Sequence, residues 1–176
     1  MVEWGLFVPL AYLPSYALAH GIPSAIALKL LAVFNAASFF GRWGPSFVAD
    51  RAGRFNVMIL MVSLCLASTM GIWYLSGSSV REVLAYAIIF GFASGSNITL
   101  TPVCVGQLCE TEAYGRYYAA TYTLVSFGSL TGIPIAGQLL STNHGDYRGL
   151  IIFTASCYAA GLVAFLAARI LAVGWK

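Results

Sequence analysis

The sequence predicts an all-α polytopic membrane protein with six transmembrane helices, and three observations lead to this fold class. The chain of 176 residues is 60% hydrophobic and 9% charged, whereas soluble domains carry about a quarter charged residues. Its mean hydropathy is +0.83, and a body of this size cannot bury so much apolar surface away from water. The apolar residues also fall into six segments close to the roughly 20 residues that a bilayer-spanning helix needs. We therefore expect residues 1–176 to form one six-helix transmembrane bundle.

The six predicted spans follow one another with short polar breaks. They cover residues 4–19, 23–48, 55–75, 83–108, 114–140 and 150–173. The breaks HGIPS, DRAGR, SGSSVRE, CETE and STNHGDYRG concentrate turn formers and charges, which end helices. The first span is the shortest and contains Pro9 and Pro14, which membrane helices tolerate when neighbouring groups satisfy the freed carbonyls. No basic stretch precedes it, so we interpret it as a retained span and not as a cleaved signal.

Lys and Arg residues are unevenly distributed between the two predicted sides of the membrane. The side with both chain ends, the loop 49–54 and the segment after the fourth span carries six of them, and the other side carries three. Basic residues are enriched in the cytosolic loops of membrane proteins. Both termini and the loop 49–54 are therefore predicted to be cytosolic, and we expect the plasma membrane as the location.

Several other classes of protein are not supported. The net charge of +3 is too small and too dispersed for a nucleic-acid-binding protein. The four cysteines fall mostly inside apolar segments without C-x-x-C spacing, which favours neither a disulfide framework nor zinc. No His, Cys, Asp and Glu cluster suits a metal, and both histidines lie in predicted outer loops, so a serine hydrolase is not supported either. We expect no enzyme and no cofactor, although coupling to protons stays open.

Polar side chains recur at helical spacing on four of the six spans. Such residues are costly in a membrane and face the bundle interior or a water-filled cavity. The stripes are Tyr12 and Tyr16 on the first span, Asn35, Ser38 and Arg42 on the second, Ser94, Asn97, Thr101 and Cys104 on the fourth, and Tyr122, Ser126 and Ser129 on the fifth. The third and sixth spans show no comparable stripe and are predicted to be lipid-facing supports. The pairs Gly91/Gly95 and Gly128/Gly132 predict close helix contacts.

Each of these polar residues has a structural alternative to a functional role. Single Ser and Thr residues commonly serve helix packing, whereas Asn35 and Asn97 are balanced between packing and a cavity. Arg42 is always charged, and it either snorkels to the interface or faces a cavity and binds an anion. Its register with Asn35 and Ser38 favours the cavity. Lys29 lies among leucines and is interpreted as snorkelling, with a substrate or proton-coupling role as the alternative.

The stretch GPSFVADRAGR, residues 44–54, resembles the cytosolic loop G-x-x-x-D-[RK]-x-G-[RK] of major facilitator superfamily transporters. Asp50, Arg51, Gly53 and Arg54 match that motif, and Ser46 replaces its first glycine. The stretches LFVPLAYLPSYALAHG, FNAASFFGRWGPSFVADRAGRFNVM and SFGSLTGIPIAGQLL are similar to the carboxy-terminal half of fungal monocarboxylate-transporter-like proteins. The resemblance covers the whole chain but only one six-helix half of such a twelve-helix transporter. It implies three partners: the lipid bilayer, a small-molecule substrate and a missing amino-terminal half.

This resemblance implies secondary active transport of a small organic solute, a monocarboxylate first of all, by alternating access about a midplane site. The substrate path would lie between the first, second, fourth and fifth helices, which are the four with polar stripes. The predicted substrate-binding residues are Arg42, Asn35, Tyr12, Tyr16, Asn97 and Tyr122. Animal members carry an acidic residue one turn before the equivalent arginine, where this chain has Ser38, so the proton-coupling mechanism does not transfer directly. A vitamin or secondary-metabolite transporter, and a non-transporting half that needs a partner, stay open as alternatives.

The motif loop is expected to act as a conformational latch. Asp50 can sit at the amino-terminal end of the fifth helix, where the helix dipole favours negative charge. Arg51 and Arg54 can pair with acidic residues that precede this helix. The predicted latch set is Asp50, Arg51, Arg54, Glu110, Glu112 and Arg116. The alternative is that these charges are solvated and only set the orientation.

Overall fold

The computed structural model describes residues 2–77 and 79–173, and within these ranges the chain is helical apart from short joints. The helices are α1 (Val2–Ala19), α2 (Ser24–Ala52), α3 (Arg54–Ser68), α4 (Val80–Gln107), α5 (Tyr114–Thr142) and α6 (Arg148–Val173). A five-residue π-helical segment, Thr69–Trp73, continues α3. Five of these stretches are long and apolar enough to cross a membrane, while α1 is shorter and carries two prolines. The all-α prediction is confirmed, with five or six candidate membrane helices against the six predicted.

The predicted motif loop 49–54 is almost entirely helical. Gly53 alone separates the end of α2 from the start of α3, so Asp50 and Arg51 lie in the last turn of α2. Its φ of 92° is a backbone conformation that residues with a Cβ rarely adopt. The Gly53 N–H donates to the Ala49 carbonyl at 3.1 Å, and the Gly53 carbonyl accepts from the Val57 N–H at 3.2 Å. We call the end of the bundle with Gly53 and residues 108–113 the motif end, and the end with residues 20–23 and 143–147 the opposite end.

Helices α2 and α4 pack closely because glycines face their crossing. An ideal Cβ at Gly91 would lie 2.6 Å from the Phe34 carbonyl oxygen, and one at Gly95 would overlap the backbone of Ser38. Small residues allow this backbone approach, as in many membrane helix pairs. The close contact predicted for Gly91 and Gly95 is confirmed.

Helix α1 begins near the middle of the bundle, against α5. The Trp4 indole lies over Gly128 and Gly132, where an added Cβ would come within 3.1 Å and 3.2 Å of it. The indole N–H donates to Thr131 Oγ1 at 3.0 Å. Because these residues lie near the middle of the 29-residue α5, the first described turn of α1 lies at mid-depth. The charge distribution predicts the motif end for this part of the chain, so the structure differs there.

A continuous aromatic core joins α3, α4 and α6. The rings of Trp73 and Tyr86 stack with centroids 5.0 Å apart, Tyr86 and Phe90 follow at 5.1 Å, and Phe90 meets Tyr158 edge-on at 5.6 Å. All four side chains are fully buried, and aromatic pairs in such arrangements add to the burial of their area. These three helices therefore form a packed unit, whereas α5 is the least buried of the candidate spans.

Candidate functional site

A partly open cavity of about 690 Å³ lies at mid-depth between α1, α2, α4 and α5. Among the residues that the structure describes, neither α3 nor α6 contributes to its wall. The four lining helices are the same four whose polar stripes predict a substrate path. Their polar lining residues are Glu3, Asn35, Ser38, Arg42, Ser94, Tyr122, Ser126 and Ser129.

Arg42 brings a positive charge into this cavity. It lies one turn beyond Ser38 and two turns beyond Asn35, so the three residues share one face of α2 and all line the cavity. Within residues 2–77 and 79–173, the Arg42 guanidinium makes no ion pair and donates no hydrogen bond. Its donors are therefore available to a carboxylate, which a guanidinium binds in a bidentate manner.

Glu3 is a second charged residue in the cavity wall. Glu3 precedes the first predicted span, residues 4–19, so the sequence does not predict that its side chain lies within the membrane. Its spacing to three apolar lining residues, Leu6, Phe7 and Leu10, is i, i+3, i+4 and i+7, which is one helix face. The same spacing is visible in the sequence and could have predicted that Glu3 faces the bundle interior. The cavity thus combines one carboxyl group with one guanidinium.

The hydroxyl groups of the lining Ser residues are mostly bonded within their own helices. Ser94 donates to the Gly91 carbonyl at 3.1 Å, and Ser129 donates to the Val125 carbonyl at 3.2 Å. Such back-bonding to the preceding turn is usual for Ser in membrane helices. These hydroxyls are therefore satisfied without a ligand, in contrast to the Arg42 guanidinium.

Three of the six residues predicted to bind substrate line this cavity: Arg42, Asn35 and Tyr122. Tyr12 instead donates its hydroxyl to the Ile133 carbonyl of α5 at 3.2 Å. Asn97 is buried against α3, where its Nδ2 donates to a Cys65 Sγ at 3.7 Å. Its Oδ1 is buried and has no hydrogen-bond partner among the described residues. In this conformation both side chains serve helix contacts, and their predicted roles in substrate binding stay predictions.

Tyr16, the sixth predicted residue, lies at the opposite end of the bundle. Its hydroxyl donates to the Ser76 carbonyl, its ring stacks on His20 at 4.1 Å, and it meets Tyr147 edge-on at 5.3 Å. These contacts join the segments that follow α1, the π-helical end of α3, and α5. A separate small cavity of about 200 Å³ lies among them. The Tyr16 contacts therefore hold these segments together at the opposite end, and the role predicted for Tyr16 in the substrate path stays a prediction.

The charges at the motif end pair along α2 and α3 in this structure. Arg54 Nη2 lies 3.5 Å from Asp50 Oδ1, across the Gly53 joint, and the Arg51 guanidinium lies 4.9 Å from the centre of the Phe47 ring. Among the described residues, no ion pair connects these arginines to the segment before α5 or to its first turn, which carry Glu110, Glu112 and Arg116. An exposed pair of this kind contributes little stability. The latch therefore stays a prediction.

Lys29 lies outside the cavity, exposed on α2. Ser46, which replaces the first motif glycine, donates its hydroxyl to the Arg42 carbonyl at 2.6 Å and lies 3.3 Å from Thr99 Oγ1 on α4. The hydroxyl is thus satisfied at the helix contact. The serine fits the contact between α2 and α4 without an unpaired polar group.

An all-helical bundle with a solute-sized cavity at mid-depth, whose wall combines apolar surface with a few polar and charged groups, is an architecture that membrane transport proteins use. The family model of the Major Facilitator Superfamily matches residues 1–133 of this chain. The chain belongs to the Major Facilitator Superfamily.

Fungal transporters are among the similar curated proteins. The chain is 37% identical over 169 residues to the riboflavin transporter MCH5 of Saccharomyces cerevisiae, covering 95% of this chain and 32% of that protein. It is 33% identical over 172 residues to the MFS-type transporter opdF of Penicillium oxalicum, covering 98% and 40%. It is 33% identical over 170 residues to the agnestins efflux protein AgnL12 of Paecilomyces divaricatus, covering 97% and 38%.

These similarities confirm the resemblance to fungal transporters of this superfamily, and such proteins are not enzymes. The chain spans 32% to 40% of the length of these three relatives. None of the three is named for a monocarboxylate.

Proposed function

We propose that this chain is the carboxy-terminal six-helix half of a secondary transporter that moves a small organic anion by alternating access. The observation that carries the proposal is the unpaired Arg42 guanidinium in a mid-depth cavity. Ionisable groups are rare and expensive within a membrane and mark substrate or ion pathways. A carboxylate offers the two oxygens that the planar guanidinium binds best.

Asn35 and Tyr122 supply neutral hydrogen-bonding groups beside Arg42. An amide and a phenol can orient the rest of a solute once its carboxylate is bound, because each carries both donor and acceptor capacity. The apolar remainder of the wall matches the usual composition of a small-molecule site. These residues form the proposed substrate contact.

The contacts at the two ends of the bundle support a state that is accessible from the motif end. The Tyr16 cluster joins three segments at the opposite end, whereas no described ion pair ties Arg51 or Arg54 to the start of α5. We place the motif end and the carboxy-terminal end of α6 in the cytosol, in agreement with the Lys and Arg distribution. The state is then inward-facing, and the proposed membrane is the plasma membrane.

The substrate class is broader than simple monocarboxylates. A cavity of about 690 Å³ falls within the range of about 300–1,000 Å³ that holds drug-sized ligands. Relatives named for riboflavin and for agnestins support a vitamin or a secondary metabolite. Because Arg42 lines the cavity, we propose an organic acid of that size, and a small monocarboxylate is the narrower alternative.

The complete transporter pairs this chain with an amino-terminal six-helix half. Large apolar side chains are exposed on α2 and α5, including Trp43 at 78% and Leu124 at 75%. The greater length of the relatives leaves room for such a half. A chain that lacks it would bind solute without transporting it, which is the second candidate function.

Binding of a fluorescent carboxylate to the chain in lipid nanodiscs tests the Arg42 role. Charge-assisted hydrogen bonds contribute about 1.5–3 kcal/mol, so Arg42→Ala should raise Kd by roughly ten- to hundredfold. Lys29→Ala is the matched control, because it removes a positive charge from an exposed site on the same helix and should leave Kd unchanged. Undiminished binding by Arg42→Ala would remove the basis of the proposal.

Uptake measurements separate the transporting from the non-transporting alternative. The chain is reconstituted into proteoliposomes alone and together with an amino-terminal six-helix half from a curated relative. Uptake that needs both halves supports the paired transporter. Binding without uptake in either preparation supports the non-transporting half.

A further inference from the structure

Three tyrosines form a row of neighbouring, mutually tilted rings along one face of α5. Tyr114, Tyr118 and Tyr122 are spaced at i, i+4 and i+8, and their ring centroids lie 5.7 Å and 4.4 Å apart with interplanar angles of 39° and 33°. We call these three residues the tyrosine ladder. Helical spacing places them on one side of α5, so the rings form a continuous aromatic strip.

The ladder leads from the motif end into the cavity. At its outer end, the Tyr114 hydroxyl donates to the Pro102 carbonyl at 3.5 Å, and its ring lies against Gly106 of α4. At its inner end, Tyr122 is part of the cavity wall. Tyr118 connects the two and is 36% exposed, so its ring is open to a solute.

Neither core packing nor the membrane interface accounts for the whole ladder. The buried residues of α5 are Gly128, Gly132 and Ala136, so packing accounts for Tyr114 at its contact with α4 and not for Tyr118 and Tyr122. Tyrosines are enriched at the membrane–water interface, which suits Tyr114 at the start of α5. Tyr122 lies two turns deeper, within the cavity, where an interfacial role does not apply.

The remaining cavity wall suits the flat face of a ring. Phe7 and Leu10 of α1, Phe34 of α2 and Ile98 of α4 contribute apolar surface. Aromatic rings favour offset-stacked or edge-to-face contacts with centroids about 4.5–7 Å apart. A planar solute on Tyr122 would continue the geometry that the ladder already shows, with a polar group free to reach Arg42.

We propose that the tyrosine ladder and the cavity together bind a planar aromatic solute, which stacks on Tyr118 and Tyr122 as it enters. This inference rests on the proposed function insofar as the cavity is the substrate site. It assigns the aromatic preference to the ladder and the anion preference to Arg42, so that the two can be tested apart.

The test compares three probes on the chain in lipid nanodiscs: naphthoate, decalin carboxylate and naphthamide. The two acids share charge and carbon skeleton, and only naphthoate has an aromatic face; naphthamide keeps the rings without the charge. Aromatic stacking strengthens binding by roughly two- to tenfold. Naphthoate should therefore bind more tightly than decalin carboxylate by that factor. Tyr118→Leu should reduce this difference, and the double variant Tyr118→Leu/Tyr122→Leu should remove it.

Two further variants control for folding and for surface effects. Tyr118→Phe keeps the ring and should retain the naphthoate preference. Tyr117→Leu removes a neighbouring tyrosine that is 56% exposed and outside the ladder, and it should bind all three probes like the unmodified chain. Monodispersity of each variant confirms that it is folded.

The possible outcomes separate this inference from the proposed function. Equal binding of the two acids, insensitive to Tyr118→Leu, would overturn the ladder while Arg42→Ala could still weaken both acids. Binding of naphthamide that depends on Tyr118 but gains nothing from the carboxylate would support the ladder and sink the Arg42 role. Failure of all three probes to bind would overturn both.

Discussion

Glu3 and Arg42 face the same cavity from two different helices. Within the described part of the chain, neither side chain forms an ion pair, so the charges act through the cavity and not through direct contact. Charges interact more strongly in a low-dielectric space than in water, so the ionised forms of Glu3 and Arg42 stabilise each other, whereas Glu3 repels a bound anion. An anion that binds Arg42 therefore meets repulsion from an ionised Glu3, and its binding favours protonation of that carboxyl group.

Substitution of Glu3 by Gln should strengthen anion binding. Removing a negative charge from the wall of the same cavity should lower the Kd for an anion several-fold, because like charges repel more strongly where water is partly excluded. The measurement is carboxylate affinity in nanodiscs at neutral pH. Glu82→Gln is the control, because Glu82 is exposed in the first turn of α4 and does not line the cavity. Weaker binding by Glu3→Gln would instead show that the carboxyl group contacts the solute favourably.

Three of the six residues that helical spacing predicts as substrate contacts line the cavity, and spacing alone could not separate them from the other three. Arg42, Asn35 and Tyr122 lie on faces that the cavity exposes. Asn97 lies on a face that α3 covers, and spacing alone does not tell which neighbour occupies a face. The presence of Glu3 in the cavity wall depends on the depth at which α1 begins. That depth is set by tertiary packing and could not be predicted from the spacing of residues.

The contact between α2 and α4 is the most extensive between any two helices in the described ranges. Its closeness depends on glycine, because an added methyl group at Gly95 would meet the backbone of Ser38. A backbone atom cannot rotate away as a side chain can. The position of Arg42 and Ser38 relative to Ser94 therefore depends on this crossing.

Replacing Gly95 by Ala should destabilise the bundle. Overpacking of a close contact costs about 1–3 kcal/mol, which should appear as a lower Tm in a detergent-solubilised thermal unfolding experiment. Gly44→Ala is the matched control, since a Cβ there meets nothing within 4 Å and alanine favours the helix. Equal Tm values for the two variants would show that the helices separate without cost.

The order of the helices could be predicted from apolar segments and polar breaks, but their ends could not. The stretch DRAGR combines charges with a glycine, which predicts a loop, yet its first three residues complete α2. Asp, Arg and Ala are all compatible with a helix, so composition does not decide between the two. The positive φ of Gly53 marks the joint, and that angle depends on how α2 and α3 pack.

Across the whole molecule, cysteine burial distinguishes the motif end from the rest. Cys65, Cys104 and Cys157 are buried, whereas Cys109 is partly exposed in the segment between α4 and α5. A bulky charged reagent reaches an exposed thiol and not one inside a packed bundle. Cys109 is therefore a native reporter of the side that the motif end faces.

A membrane-impermeant maleimide should label this chain at Cys109 from the cytosolic side. Inside-out vesicles should be labelled and intact cells should not, because the proposed orientation places the motif end in the cytosol. Cys109→Ser should abolish the labelling, and Cys157→Ser, which removes a buried thiol, should not change it. Labelling of intact cells would reverse the orientation.

The joint at Gly53 has a mechanical consequence for the whole bundle. One residue completes the hydrogen bonding of α2 and starts that of α3, so no slack chain separates these helices at the motif end. A change in the angle between α2 and α3 at this end is therefore a rotation about Gly53. The helix that carries Arg42 and the helix that leads to the aromatic core at Trp73 thus share one joint, so their relative tilt can change without a change in the length of chain between them.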